Sequence, residues 1–180
     1  TSDNVRNNTA TDDVFQSVQV VRKLSPAVQS DFDVYGKFND AIATTPQPVT
    51  VSHKAFAWAN PGDDKYIIVE YWIKNSGTSA LNNMWAGIFA DWDIQDYTLN
   101  KGDEVPALKM GYAYNTSAGG LWAGTKVLSA TPFNHYAIDN VSTTTGANLS
   151  DGYSDAEKYT TLSTAMPTSG GTGTEIGRAH

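Results

Sequence analysis

The chain has 180 residues, no cysteine, and a formal net charge of −7 with an isoelectric point near 4.7. That length supports one hydrophobic core without covalent staples. The missing cysteines exclude disulfide scaffolds, zinc ribbons and thiol catalysis. The acidic balance, with no basic run longer than Arg22-Lys23, argues against nucleic acid or an anionic membrane as partner, and no apolar run approaches the roughly 20 residues of a spanning helix.

The acids are 15 Asp against 4 Glu. Asp caps turns and ligates hard cations, whereas Glu favours helix surfaces, so the skew, with 15 Gly and abundant Thr, Ser and Asn, indicates a loop-rich β protein. The chain opens at Thr1 without a methionine or an apolar leader, which is the pattern expected of a processed or excised segment.

In chain order, residues 1–47 are polar and weakly patterned, and Val14 to Leu24 fits a strand or a short helix. Thr44 to Pro48, with two prolines, is an extended break. Val49 to Trp58 then alternates Val49, Val51, His53, Ala55 and Ala57 against Ser52, Lys54, Phe56 and Trp58. Asn60 to Asp64 is a turn cluster, and Tyr66 to Asn75 is the clearest strand, with Ile67, Val69, Tyr71 and Ile73 on one face and Tyr66, Glu70, Trp72 and Lys74 on the other. Met84 to Ile94 alternates in the same way and predicts a strand that ends with Asp91 and Asp93 side by side on one face. Further strands are expected within 107–114, 121–130 and 133–138. One helix is expected over 154–166, where Ser154 and Glu157 form a capping box, Ala156, Tyr159, Leu162 and Met166 form a stripe, and Pro167 stops the run.

These elements predict an all-β fold: an antiparallel β-sandwich, jelly-roll-like or immunoglobulin-like, with one short peripheral helix near 154–166. The organisation expected is a polar segment over 1–47 partly packed on the sheet, a sandwich core over 48–166, and a Gly/Thr-rich tail over 167–180.

The densest chemistry is Asp91-Trp92-Asp93-Ile94-Gln95-Asp96. Oxygens of Asp91, Asp93 and Asp96 have the character of a calcium site, since a divalent cation relieves repulsion between adjacent carboxylates, although the spacing and the missing glycine depart from an EF-hand. The same acids could equally cap turns. Asp91 or Asp93, with Glu70 on a neighbouring strand, is also the residue type of a polysaccharide-acting hydrolase. Trp72 and Trp85, set opposite the apolar faces, are candidates for stacking on sugar rings. His53 reads as a packed or edge residue and not as a base; His135 reads as a surface hydrogen-bonding residue; and no G-x-S-x-G elbow is present. Asn7, Asn115, Asn140 and Asn148 each begin a glycosylation sequon.

The stretch from Val51 to Ile94, VSHKAFAWANPGDDKYIIVEYWIKNSGTSALNNMWAGIFADWDI, resembles a non-catalytic region found downstream of the protease domain in secreted subtilisin-like serine peptidases of the Bacteroidetes and related bacteria. Tyr71, Asn75, Gly87, Asp91, Trp92 and Asp93 carry the likeness, which continues through Leu108 to Tyr114, His135 to Asn140 and Asp155 to Ser163. The resemblance implies an extracellular or cell-surface β-sandwich accessory module without catalytic residues. Together with the residues, it leads to the expectation of a calcium-stabilised structural module. Its expected partners are other extracellular domains or copies of itself, met through an open sheet edge, or glycans.

Overall fold

The computed structural model describes residues 15–88, 90, 92–128, 135, 159, 162–163 and 174–175. The chain is all-β and sandwich-like in class, with strands in two four-stranded antiparallel sheets. It divides into two compact units, Thr1–Asn83 and Met84–His180, a boundary that falls inside the stretch expected to form one core.

The first unit holds β1 (Gln16–Lys23), β2 (Phe32–Asn39), β3 (Val49–Ala57) and β4 (Ile67–Asn75), in the spatial order β1-β2-β3-β4. The ambiguous Val14 to Leu24 stretch therefore holds a strand, over Gln16–Lys23. β2 lies inside the segment read as weakly patterned, because its Gly, Lys and Asp residues mask the alternation of Val34 and Phe38. The predicted Val49 and Tyr66 strands are present and pair with each other throughout, from Val49 opposite Asn75 to Ala57 opposite Ile67.

Cross-strand register assembles one apolar face from Phe32, Val34, Phe38, Val51, Ala55, Val69 and Ile73. A row of rings crosses that face: Phe15 to Phe38 at 5.5 Å, Phe38 to His53 at 6.0 Å, and His53 to Tyr71 at 6.2 Å between centroids. Gly36 makes the row possible, since a Cβ there would collide with the His53 imidazole and with Val21. His53 is thus a packed residue, as its place in the alternation suggested.

Phe56 lies on the opposite face and is buried, next to the carboxylate of Asp33. Asp33 ties down the loop before β2: one oxygen accepts from the N–H groups of Val28 and Gln29 at 2.7 and 2.8 Å, and the other accepts from the N–H and hydroxyl of Ser30. The Ser30 hydroxyl, aided by the three backbone donors and opposed by burial, holds the carboxyl at a pKa of about 2, below its ordinary 3.8. A carboxyl with a depressed folded-state pKa stabilises the fold above its unfolded pKa and loses that contribution as pH falls toward the folded value. Stability should therefore drop between the ordinary carboxylate range and about pH 2. Acid unfolding followed by circular dichroism should show Asp33→Asn less stable near neutrality and flatter across that window. An unaltered acid limb in the variant would refute the role.

The second unit holds β5 (Asn100–Val105), β6 (Met110–Asn115), β7 (Trp122–Lys126) and β8 (Thr174–Glu175), in the order β7-β6-β5-β8, with short 3₁₀ turns at Tyr97–Leu99 and Pro106–Leu108. β6 and β7 occupy the cores of two predicted strands. β5 falls between two predicted strands, where none was expected, and β8 lies in the stretch read as a tail. Its backbone pairs with Lys101 and Gly102, a contact between segments too distant in sequence for local pattern to reveal.

The predicted strand from Met84 to Ile94 is not formed: its described residues have no regular structure. Of the predicted helix, Tyr159, Leu162 and Ser163 are helical, and Leu162 packs against Gly87. Its capping residues Ser154 and Glu157, the predicted 133–138 strand apart from His135, and the sequons at Asn7, Asn140 and Asn148 lie outside the described residues.

Candidate functional site

The acidic motif is held as a loop by two asparagines. Asn100 and Asn115 face each other across β5 and β6 and are almost fully buried. Asn100 accepts from the Ile94 N–H at 2.8 Å and donates to the carbonyls of Ile94 and Asp96, while Asn115 donates to the same two carbonyls at 2.9 and 2.7 Å. At Ile94 and Asp96 side-chain amides thereby take the backbone hydrogen bonds that a neighbouring strand would otherwise supply. Ile94 is buried beneath them, and Gln95 adopts a left-handed conformation (φ 55°) that ends any extended run.

Asp93 is exposed in this loop. Asp96 caps the 3₁₀ turn that follows: its Oδ1 accepts from the hydroxyl and N–H of Thr98, and those bonds lower its pKa. Asp91 lies outside the described residues. Among the described residues, no three His, Asp or Glu side chains converge as a cation site. Glu70 sits in mid-strand on β4, directly opposite Lys54. Asn115 is a structural residue, its amide nitrogen engaged with two carbonyls, so its sequon is no glycan acceptor in the folded unit.

The loop also positions β7. The Gln95 side chain accepts from the Leu121 N–H at 3.0 Å, Leu121 accepts from the Asn115 N–H, and Thr116 bonds Leu99. The next residue is Trp122, which stands directly opposite Tyr114, with Tyr112 two places along β6. The indole stacks on Tyr114 at 4.8 Å and 18° and on Tyr112 at 5.2 Å and 29°; the tyrosines themselves lie 6.0 Å apart. Because the two phenols back one side of the ring, the 65% exposure of Trp122 belongs to its outer face and rim. Gly124 sits opposite Tyr112, where a Cβ would press on the tyrosine and on the Gly111 carbonyl.

Polar groups border the three rings. Lys101 is paired with Tyr114, Asp103 is paired with Tyr112 and accepts from its hydroxyl at 3.2 Å, and Lys126 lies further along β7. Burial and the Asp103 charge both raise the Tyr112 pKa, so its hydroxyl stays protonated as a donor. On the opposite face of this sheet Gly102, Gly111 and Ala113 are buried, beside Glu104 and the Asn100–Asn115 pair. The His135 imidazole lies over Gly111, 3.7 Å from the Glu104 carboxylate, and burial lowers its pKa against the opposing pull of Glu104 and Asp103.

Sequence reasoning missed this platform. Trp122 and the two tyrosines fall in separate predicted strands, and only the β6–β7 register brings them together. The residues it did nominate stand elsewhere. Trp72 is half-exposed on β4 under the Lys54 ammonium, 5.4 Å from the ring centroid, and Trp85 lies in the irregular 84–88 stretch. Comparison with protein-family models, with curated proteins and with solved structures finds no match.

Proposed function

We propose that the chain is a non-catalytic, extracellular accessory module that binds carbohydrate on the Tyr112–Tyr114–Trp122 platform. The observation that carries this reading is an indole stacked from behind on two tyrosines and open on its outer face. An aromatic face is electron-rich, and the C–H face of a pyranose is its apolar, weakly positive complement. A flat, rigid, pre-stacked ring loses little freedom on binding, and the surrounding Lys101, Asp103 and Lys126 supply donors and an acceptor for hydroxyls at the rim. The likeness of the Val51 to Ile94 stretch to regions downstream of secreted proteases supports the accessory, extracellular part of the reading.

The test is binding to a glycan array and to insoluble polysaccharides. Trp122→Ala should weaken binding by about tenfold or more, the scale of losing one well-seated aromatic contact. Trp72→Ala and Trp85→Ala should leave it unchanged. Absence of binding to every glycan tried, or binding indifferent to Trp122→Ala, would overturn the proposal.

A further inference from the structure

Among the described residues β4 is an edge of its sheet, nine residues long and without a bulge or a proline. The other edge, β1, is interrupted by two register shifts and carries Arg22 and Lys23, which is how sheet edges are ordinarily protected. β4 has no register shift, its two charges, Glu70 and Lys74, are of opposite sign, and Ile67, Val69, Tyr71, Trp72 and Ile73 are all exposed.

The backbone of β4 divides by parity. The Ser76 N–H donates to the Pro48 carbonyl, one step beyond the Val49–Asn75 pair. Bonded and non-bonded pairs alternate in an antiparallel ladder, so Ile68, Glu70, Trp72 and Lys74 turn their N–H and C=O toward β3. The N–H and C=O groups of Ile67, Val69, Tyr71, Ile73 and Asn75 point to the open edge.

We infer that β4 pairs antiparallel with β4 of a second copy, with Trp72 opposite its own counterpart on the two-fold axis. This register places Glu70 opposite Lys74 of the other copy, twice by symmetry, and Tyr71 opposite Ile73. It also sets the outward-facing residues against one another as hydrogen-bonded pairs and leaves Trp72 at a non-hydrogen-bonded site, where side chains approach most closely. Sliding the copies so that Tyr71 meets Tyr71 sets Lys74 against Ile68, and sliding so that Glu70 meets Glu70 opposes like charges. The self-complementary charges on β4 therefore select a second copy as the occupant and one register for it. The inference is independent of carbohydrate binding.

The chain has no cysteine, so single-cysteine variants report on the register directly. The intact chain should sediment as a dimer at high micromolar concentration, and oxidised Trp72→Cys should cross-link, because Cβ atoms of such pairs lie within disulfide reach after small adjustment. Val69→Cys, which this register sets far from its symmetry mate, should not. Lys74→Glu, which faces Thr50 within the sheet, should weaken dimerisation by about tenfold. Combining it with Glu70→Lys should restore the dimer, with melting curves confirming that each variant is folded. A monomer at all concentrations, a cross-link preferring Val69→Cys, or no rescue by the double reversal would overturn the inference.

Discussion

Replacing Trp72 with proline should strongly destabilise the first unit, whereas the same substitution at Tyr71 should leave its stability nearly unchanged. The two residues are neighbours on β4, both about half-exposed, and a burial argument does not separate them. The hydrogen-bond parity does. Trp72 pairs with Ser52 and its N–H faces β3, so proline there removes a ladder bond and strands a carbonyl on β3. The cost should be roughly 2–4 kcal/mol once the lost packing of the indole is included. The Tyr71 N–H faces the open edge, a position that tolerates proline in sheets, and the cost there should stay within about 1 kcal/mol. Urea unfolding followed by tryptophan fluorescence measures both. Equal destabilisation would refute the parity, and with it the pairing of β4 proposed above. Tyr71→Pro should also be monomeric, since it removes an edge donor without disturbing the ladder to β3.

Asn100→Ala should produce the largest loss in the second unit. The change removes three hydrogen bonds and leaves the Ile94 N–H, otherwise bonded to Asn100, buried without a partner. Asn115 still serves the two carbonyls, so the cost should be roughly 2–3 kcal/mol and not the sum of three bonds. The pair Asn100→Ala and Asn115→Ala should be strongly non-additive in a double-mutant cycle, because both amides grip the same backbone. Additive effects would show that the acidic loop is held by something other than these two side chains. Loosening this loop should also reduce glycan binding, since Gln95 of the loop bonds the residue before Trp122.

The two asparagines explain why the DWD segment misleads. Its alternation of apolar and polar residues is as regular as that of β3, but alternation expresses only a preference for shelter, and of the described residues over 84–94 Ile94 alone is buried. A strand also needs a neighbour to accept and donate backbone hydrogen bonds, and at Ile94 and Asp96 carboxamides take that part. Nothing in the local sequence distinguishes an Asn that does this from an Asn that forms a turn; one of the two even sits in a sequon. Asp96 similarly reads as a ligand or as a cap until Thr98 is seen to donate to it.

By itself the sequence determined the β class, the β3–turn–β4 hairpin and the packed character of His53, because all three follow from period-two patterning and turn chemistry acting between near neighbours. Tertiary structure decided what those rules do not reach. It converted the Asp-rich segment from a strand end to a loop, recruited β8 from the Gly/Thr-rich stretch, and set Trp122 against Tyr112 and Tyr114 through a cross-strand register. It also decided which edge of the first sheet is left open, since an edge is a property of strand order and of hydrogen bonds made or not made between residues remote in the chain. Local pattern encodes which side chains prefer shelter, whereas pairing between strands settles which faces and edges remain for a ligand or a second copy.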